Sequence, residues 1–319
     1  MKSKSLLLAL SLAAALGGTA ARAAAPSTRV VADYRAVHER CTDAAGKASV
    51  AIRAMTLDGT PTLLVVDPQS LETSLAPAAG ASCASTAAAA EAGTRFQRAI
   101  AAAAAARSPR YAKVEASYLR DAGLDHGRGG GAFVTADLCP SPRPLDRAFL
   151  ERLMTHGPRQ PVALAVSGLW LLRHRADFDW IMGKVAAGAL DVTWIDHSYH
   201  HPFDPRARIQ DTFLRKRGID MATEILATEK LLIADGGTPS AFFRFPGLVS
   251  DPGLMAKVAS FHLVTVGADG WLALGEKPTA GGVILVHANG NEPAGLRLFG
   301  KLDAAGGIPG PLRRLEDAP

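Results

Sequence analysis

The sequence predicts an α/β fold in which parallel strands and helices alternate around a barrel. In the second part of the chain, short apolar runs typical of strands are separated by helix-compatible segments. Strands that are apolar along their whole length are typical of a parallel sheet covered on both faces. Six such units suit a barrel, complete or distorted, better than a small open sheet, although a doubly wound sheet also fits the pattern. The six runs are 132–135, 162–166, 192–195, 241–243, 263–266 and 283–286, and the helix-compatible segments include 145–154, 177–187 and 211–232.

The N-terminal third follows a different pattern. Residues 48–55 and 62–66 are predicted to pair as a hairpin, because Asp58-Gly59-Thr60-Pro61 between them carries a turn signal. The alanine-rich segment 85–106 favours a helix, since alanine has the highest helix propensity. Its last part, 101–106, also fits a low-complexity linker.

The N-terminus is typical of a secretory signal peptide. Lys2 and Lys4 give a positive start, 6–16 is apolar, and Ala21-Arg22-Ala23 offers a cleavage site of small residues. The apolar stretch is too short to span a bilayer comfortably, and no later run approaches the required length of about 18 residues. We therefore predict a periplasmic or secreted protein with no lasting membrane anchor.

These patterns predict that the chain is divided into three parts. The glycine cluster 127–131 indicates a boundary before the alternating units. We predict a signal peptide over residues 1–23, an N-terminal α+β region of unknown role over 24–125, and the barrel over 126–319.

The net charge excludes one class of partner. The formal charge of the whole chain is +5, and removal of Lys2, Lys4 and Arg22 with the signal would leave +2. A residual charge this small argues against a dedicated nucleic-acid surface.

The three cysteines allow two interpretations. In an oxidising compartment an even pairing is favoured, and Cys41 with Cys83 is the expected pair because both lie in the N-terminal third. Cys139 would then be free. Three small buried thiols are an equally good interpretation.

Polar residues follow five of the six predicted strands. In a βα barrel the active site is built at the C-terminal ends of the strands, so these side chains are expected to converge on one rim. Any single aspartate after a strand is also a common helix cap, and this applies above all to Asp269. The residues are Asp137, Asp196 with His197, Arg244, Asp269 and His287.

The most specific pattern is His197-Ser198-Tyr199-His200-His201-Pro202, directly after the third strand. Two imidazoles four positions apart lie on one face of a helical turn, within reach of a single cation. His200 would point about 100° away, towards substrate or solvent.

Four motifs resemble those of the polysaccharide deacetylases (NodB-homology domains, carbohydrate esterase family four). The histidine pattern matches H-[ST]-x-x-H-P, Arg244-Phe245-Pro246-Gly247 resembles R-x-P, and 284–287 resembles the late L-x-H motif. Thr135-Ala136-Asp137 resembles the start of the T-F-D-D motif. The resemblance covers about residues 130–300.

The resemblance implies a distorted (β/α)7 barrel and metal-dependent removal of N-acetyl or O-acetyl groups from a carbohydrate polymer, the expected partner. It implies that His197 and His201 bind a divalent metal, commonly zinc, and that Asp137 is the general base for a metal-bound water.

The resemblance also implies roles around these residues. Arg244 would hold Asp137 in place, and His287 would protonate the leaving amine. Asp269 resembles the late aspartate that tunes the acid histidine. Pro246, Trp271 and His200 are the candidate substrate contacts.

The first motif departs from the family pattern. Where two adjacent aspartates are usual, this chain has Asp137-Leu138-Cys139, so the metal-binding aspartate is replaced by a leucine that cannot ligate. In an alignment shifted by one residue, Asp137 becomes the ligand and Ala136 stands at the base position. Waters, Asp196 or the Cys139 thiolate could complete the metal shell, with waters preferred, and loss of activity is the fourth option.

Two other functions fit the same residues. A catalytically silent carbohydrate-binding protein would keep the barrel after losing a metal ligand. An amidase acting on a non-sugar amide would share the site and differ in the shape of the cleft.

Overall fold

The computed structural model describes residues 28–111 and 118–319, so the predicted signal peptide, 1–23, lies outside the described residues. An antiparallel sheet forms first, and the predicted hairpin is its centre. The turn at Asp58-Gly59 connects its second and third strands, and Cys41 forms the expected disulfide with Cys83, so the interpretation as three free thiols is wrong. In chain order the strands are β1 (Val31–Thr42), β2 (Ala48–Leu57), β3 (Thr60–Val66), β4 (Thr73–Pro77) and β5 (Ser82–Ser85).

Seven parallel strands form the second, curled sheet, which confirms the predicted distorted (β/α)7 barrel. All six predicted strands are present, and the sequence pattern missed a seventh, Gly270–Trp271, because it is only two residues long. Across the sheet the order is β12 (Val264–Thr265), β10 (Pro239–Phe243), β9 (Leu190–Asp196), β8 (Gln160–Val166), β7 (Phe133–Leu138), β14 (Val283–His287) and β13 (Gly270–Trp271).

Side chains cap several of the helices at their N-terminal ends. The predicted segment 85–106 is α-helical only from Arg95, because Thr94 accepts a hydrogen bond from the backbone of Gln97. Segment 211–232 is α-helical only from Met221, after the Asp220 cap. The helices are α1 (Arg95–Ala105), α2 (Arg147–Met154), α3 (Gly168–Arg173), α4 (Arg175–Ala186), α5 (Met221–Ala234), α6 (Pro252–Ser260) and α7 (Pro293–Ala304). None of the helices within 28–111 and 118–319 has the length and apolar character that crossing a bilayer requires.

Alternate residues of the barrel strands enter two different cores. Leu164 and Trp194 pack with the surrounding helices. Ala165 and Ile195 share a core with Ile52 of the antiparallel sheet. Because strand side chains alternate between two faces, the antiparallel sheet covers part of the inner face of the barrel. The predicted boundary at residue 125 stays a prediction.

The segment 121–127 bridges the edge strand β12 and the start of β14. Leu124 donates a backbone hydrogen bond to Thr265 and accepts one from Gly267, at 2.8 and 2.9 Å. On the other side, Val283 donates to the carbonyl of Asp125 at 2.9 Å. Just before it, β6 (Leu119–Arg120) pairs with β11 (Val249–Ser250). The segment thus closes the barrel between β12 and β14.

A buried carboxyl at the start of this segment makes stability depend on pH. Asp121 is 2% exposed, and Oδ1 accepts a hydrogen bond from the backbone of Ala268 at 2.7 Å. Burial raises the pKa of Asp121 to about 7. The folded chain therefore holds a proton that the unfolded chain loses, and this part of the stability falls as the pH rises from about 4 to about 7.

Asp121→Asn is expected to remove this dependence, because the amide oxygen still accepts the Ala268 hydrogen bond without a buried charge. Asparagine also tolerates the backbone φ of 52° at this position. We compare the free energies of unfolding of the variant and the parent chain by urea unfolding. Their difference, variant minus parent, should be about 1–3 kcal/mol larger at pH 8 than at pH 5. Asp33→Asn, at an exposed residue with a φ of 54°, controls for the substitution itself. A gain that is equal at both pH values would contradict the prediction.

Candidate active site

A buried carboxylate–guanidinium pair lies at the C-terminal end of β7. Asp137 is 3% exposed and Arg244, directly after β10, is 0% exposed. Arg244 donates from Nη1 to Asp137 Oδ1 at 2.7 Å and to Thr135 Oγ1 at 2.8 Å, and from Nη2 to the Gly267 carbonyl at 3.0 Å. These contacts fix the guanidinium, and they leave Asp137 Oδ2 facing the other site residues.

His197 follows β9 and is fully buried. Its Nδ1 lies 2.8 Å from the carbonyl of Arg244, which can only accept, so Nδ1 carries a proton, and in the neutral ring Nε2 has the free lone pair. Nε2 lies 3.5 Å from both Asp137 Oδ2 and Cys139 Sγ. A ring nitrogen held in this way is typical of a metal-binding histidine.

The second imidazole reaches the site through a loop and not through a helix. Residues 197–202 form no helical turn, and Ser198 and His201 have positive φ values of 64° and 47°. The predicted helical turn is therefore wrong. The loop still places the rings of His197 and His201 with their centroids 4.7 Å apart. His201 Nε2 is buried and has no hydrogen-bond partner among the described residues.

His287 ends β14 and lies beside Asp137 in the neighbouring strand. Its Nε2 is 4.0 Å from Asp137 Oδ2, and its Nδ1 is 2.9 Å from Glu292 Oε2. The indole of Trp271 donates to the same Glu292 oxygen at 2.8 Å. The Glu292 carboxylate is therefore a close ionic neighbour of His287, although Nδ1 makes no directional hydrogen bond among the described residues.

The structure does not bring Asp269 to this site. Asp269 precedes β13, its backbone donates to the Val283 carbonyl, and its carboxylate accepts hydrogen bonds from Thr279 at 2.8 and 2.9 Å. Val283 and His287 are the two ends of β14, roughly 13 Å apart at about 3.3 Å per residue. Asp269 is thus at the opposite end of the barrel, and the contact expected of it belongs to Glu292.

The predicted substrate contacts have different environments. His200 is half exposed, and its Nδ1 lies 2.7 Å from Glu224 Oε1. Trp271 is 7% exposed and lines the cleft. Pro246 is buried, and its neighbour Gly247 lines the cleft in its place.

Two of the residues considered for the metal shell face away from the histidines. Leu138 is fully buried and packs in the core under the helices. Asp196 accepts a hydrogen bond from the backbone of Ser198, and its pKa is raised well above the ordinary value by burial and by the negative charge of Glu229. Neither side chain belongs to the donor cluster.

Three groups of donor atoms lie close enough together to hold a cation. Cys139, His197 and His201 each offer one atom within 4.8 Å of the others, and Asp137, Cys139 and His287 do the same. The third group contains both disulfide cysteines, which are not available as thiolates. Imidazole nitrogens and thiolate sulfur are the usual zinc ligands, so the first group fits a zinc-type ion.

The pKa values of three buried groups are shifted in the direction that favours their charged forms. Burial raises the pKa of Asp137, but Arg244 and His197 outweigh it, so the pKa lies below the ordinary value. Burial lowers the pKa of His287, but Cys139 and Glu292 outweigh it, so the pKa lies well above the ordinary value. Burial raises the pKa of Cys139, but the neighbouring imidazoles outweigh it, and the pKa is well below the ordinary value.

The cluster opens into a cleft of about 640 Å³. Cys139, His201 and His287 lie on its wall. Phe203 and Phe213 line it with stacked rings, whose centroids are 5.1 Å apart, and Phe203 is 60% exposed. An exposed aromatic face beside polar groups is suited to the apolar face of a sugar ring.

Glu292 and Phe203 are site residues that the sequence pattern does not predict. Glu292 lies five positions beyond the end of β14, where no strand-end rule selects it. Phe203 directly follows Pro202 of the histidine motif, and its position next to the motif is the one sequence feature that could have indicated it.

The chain is similar to several solved structures, although no family model matches it. A family 4 carbohydrate esterase from Streptomyces lividans in complex with acetate is 21% identical, with 56% of this chain and 90% of that chain covered and a TM-score of 0.39. The chitin deacetylase of the fungal pathogen Colletotrichum lindemuthianum is 14% identical, with 59% and 88% covered and a TM-score of 0.42. A family 4 pseudoenzyme from Bacillus anthracis is 16% identical, with 57% and 63% covered and a TM-score of 0.36. Two of these three are named as members of the family that the motifs of this chain resemble.

Proposed function

We propose that the protein is a metal-dependent hydrolase that removes acetyl groups, N-acetyl or O-acetyl, from a carbohydrate polymer in the periplasm or outside the cell. The observation that carries the proposal is the convergence of a carboxylate, an imidazole and a cluster of side chains that can ligate a metal, beside one cleft. Asp137 Oδ2 lies 3.5 Å from His197 Nε2 and 4.0 Å from His287 Nε2. Each of these groups has a role in the hydrolysis of an amide or ester.

Asp137 is placed to act as the general base. Its Oδ1 is occupied by Arg244, which also keeps the carboxylate ionised, and Oδ2 is left to accept a proton from water. A cation held by His197 and His201 would lower the pKa of a water molecule to about 7 and polarise the scissile carbonyl.

His287 is placed to act as the general acid. Glu292 Oε2 lies 2.9 Å from Nδ1, and Nε2 lies 4.0 Å from Asp137 Oδ2. Cys139 and Glu292 raise the pKa of His287, which favours the protonated ring, and Nε2 can then donate to the leaving amine or alkoxide.

The cleft supports a carbohydrate substrate. The exposed ring of Phe203, stacked on Phe213, forms an apolar wall on which a sugar ring can pack. His200, Trp271 and Gly247 lie around the same opening, so the sugar would lie beside His287, whose Nε2 is 4.0 Å from Asp137 Oδ2.

The test is acetate release from N-acetylglucosamine oligomers and polymers and from aryl acetates, after chelation and with zinc, cobalt or manganese added back. We expect release that depends on metal, and a loss of about 100-fold or more in His201→Ala, because one ligand of the cation is removed. His156→Ala, at a half-exposed histidine paired with Asp303, is the matched control and should retain activity.

A silent carbohydrate-binding protein gives a different result. It would bind the oligomers without releasing acetate under any metal, and chelation would leave its thermal stability unchanged. A metal-binding protein loses stability on chelation, because a ligand of the folded state stabilises it by mass action. An amidase for a non-sugar substrate would hydrolyse aryl acetates and leave the oligomers intact.

A further inference from the structure

We propose that Cys139 supplies a thiolate that completes a three-residue metal centre with His197 and His201, in place of the aspartate of the related motif. The inference rests on the proposed metal-dependent function and names the third ligand of that site. It follows from the direction of the strand, from the distances between donor atoms and from the hydrogen bonds that hold them.

The alternation of β7, continued to the residue that follows its end at Leu138, places Cys139 and not Leu138 at the site. Successive side chains of a strand point to opposite faces, so residues two positions apart share a face. Asp137 points into the site, where it contacts Arg244 and His197. Leu138 points into the core under the helices, and Cys139 returns to the face of Asp137.

One donor distance matches a tetrahedral ion. A sulfur at about 2.3 Å and a nitrogen at about 2.05 Å from zinc, at a tetrahedral angle, stand about 3.6 Å apart. Cys139 Sγ lies 3.5 Å from His197 Nε2. His201 offers a third atom within 4.8 Å of these two, and its buried Nε2 has no other partner among the described residues.

Neighbouring groups hold the ligands in these positions. Nδ1 of His197 donates to the Arg244 carbonyl, which aims Nε2 at the site. The buried amide of Asn289 donates to the carbonyl of Cys139 at 2.7 Å, and Ser141 donates to the carbonyl of Asn289 at 2.9 Å. The segment that carries the thiol is therefore anchored to the loop after β14.

A thiolate changes which ion the site prefers. On binding, the thiol of Cys139 gives its proton to solvent and the sulfur forms the bond to the cation. Sulfur is a soft ligand, so two imidazoles and a thiolate select zinc or cobalt over magnesium, manganese or calcium.

The test uses cobalt as a spectroscopic probe in the full chain. Cys41 and Cys83 form the disulfide, so Cys139 is the one free thiol of the three cysteines. A thiolate bound to Co²⁺ gives a sulfur-to-metal charge-transfer band in the near ultraviolet. We expect this band in the parent protein and its loss in Cys139→Ser, with cobalt affinity lowered by more than the roughly 10- to 100-fold typical of losing an outer-shell partner.

A second variant and a second measurement keep the test informative if Cys139→Ser does not fold. Cys139→Asp should bind cobalt without the band and should bind manganese more tightly than the parent chain does. In the parent chain, zinc should slow the reaction of the single thiol with a disulfide reagent. If cobalt binds to the parent chain without producing the band, Cys139 is not a ligand, and the proposed metal-dependent hydrolase is unaffected. Absence of any zinc or cobalt binding would overturn both this inference and the proposed metal dependence.

Discussion

Asp137→Asn is expected to lower kcat/KM for acetate release by about 10²- to 10⁴-fold, the usual contribution of a general base. The amide still offers an oxygen to Arg244, but it cannot take a proton from water. Steady-state rates should be compared at equal metal content, because the substitution also alters the charge beside His197. Activity within a few fold of the parent chain would show that another group removes the proton.

Two matched variants distinguish a specific effect on His287, the proposed general acid, from the general effect of losing one negative charge. Glu292→Gln removes the carboxylate 2.9 Å from His287 Nδ1 and should shift the pH optimum of kcat to lower values. Asp269→Asn, at the other end of the barrel, should leave kcat unchanged. If Asp269→Asn shifted the pH optimum and Glu292→Gln did not, Asp269 and not Glu292 would set the pKa of His287.

The strands and their functional ends could be predicted from the sequence because each buried parallel strand is a separate apolar run. Asp137, Arg244 and His287 follow such runs, and barrel geometry alone brings them to one rim. The same rule misplaced Asp269. It follows a run, β12, but it also precedes β13, which is too short to be recognised, so it lies at the start of a strand.

The local conformation of the histidine motif could not be predicted from spacing. Two histidines four positions apart indicate one face of a helical turn, but Ser198 and His201 have positive φ values and the segment is a loop. Tertiary contacts override the local preference here, since His200 is held by Glu224 of α5. The two imidazoles still meet, with their ring centroids 4.7 Å apart.

The proposed third metal ligand could be predicted from the alternation of side chains along a strand. Treating Leu138 as the equivalent of a ligand depends on alignment to a motif, whereas the alternation of β7, continued one residue beyond its end, places Asp137 and Cys139 on the same face. An aspartate introduced at Leu138 would lie in the apolar core. For that reason Cys139→Asp, and not Leu138→Asp, is the substitution that tests a carboxylate in the metal shell.

Glu229→Leu is expected to destabilise the protein by about 3–5 kcal/mol, because it leaves the buried Arg53 charge without its partner. Arg53 lies in β2 and is 0% exposed, and it donates to both carboxylate oxygens of Glu229 in α5 at 2.6 and 2.8 Å. Tyr34 donates to the same carboxylate at 3.0 Å, and Arg53 also donates to the Phe261 carbonyl at 2.8 Å. These contacts join the N-terminal sheet to two helices of the barrel.

The double variant Arg53→Met/Glu229→Leu should recover much of this loss, since an apolar pair of similar volume often replaces a buried ion pair at little cost. Urea unfolding of the parent, the two single variants and the double variant gives the coupling energy directly. Single effects that simply add would mean that the two charges do not depend on each other. A single cooperative transition in all four proteins would show that residues of the N-terminal sheet and of the barrel unfold as one unit, and two transitions in Glu229→Leu alone would show that this ion pair is what couples them.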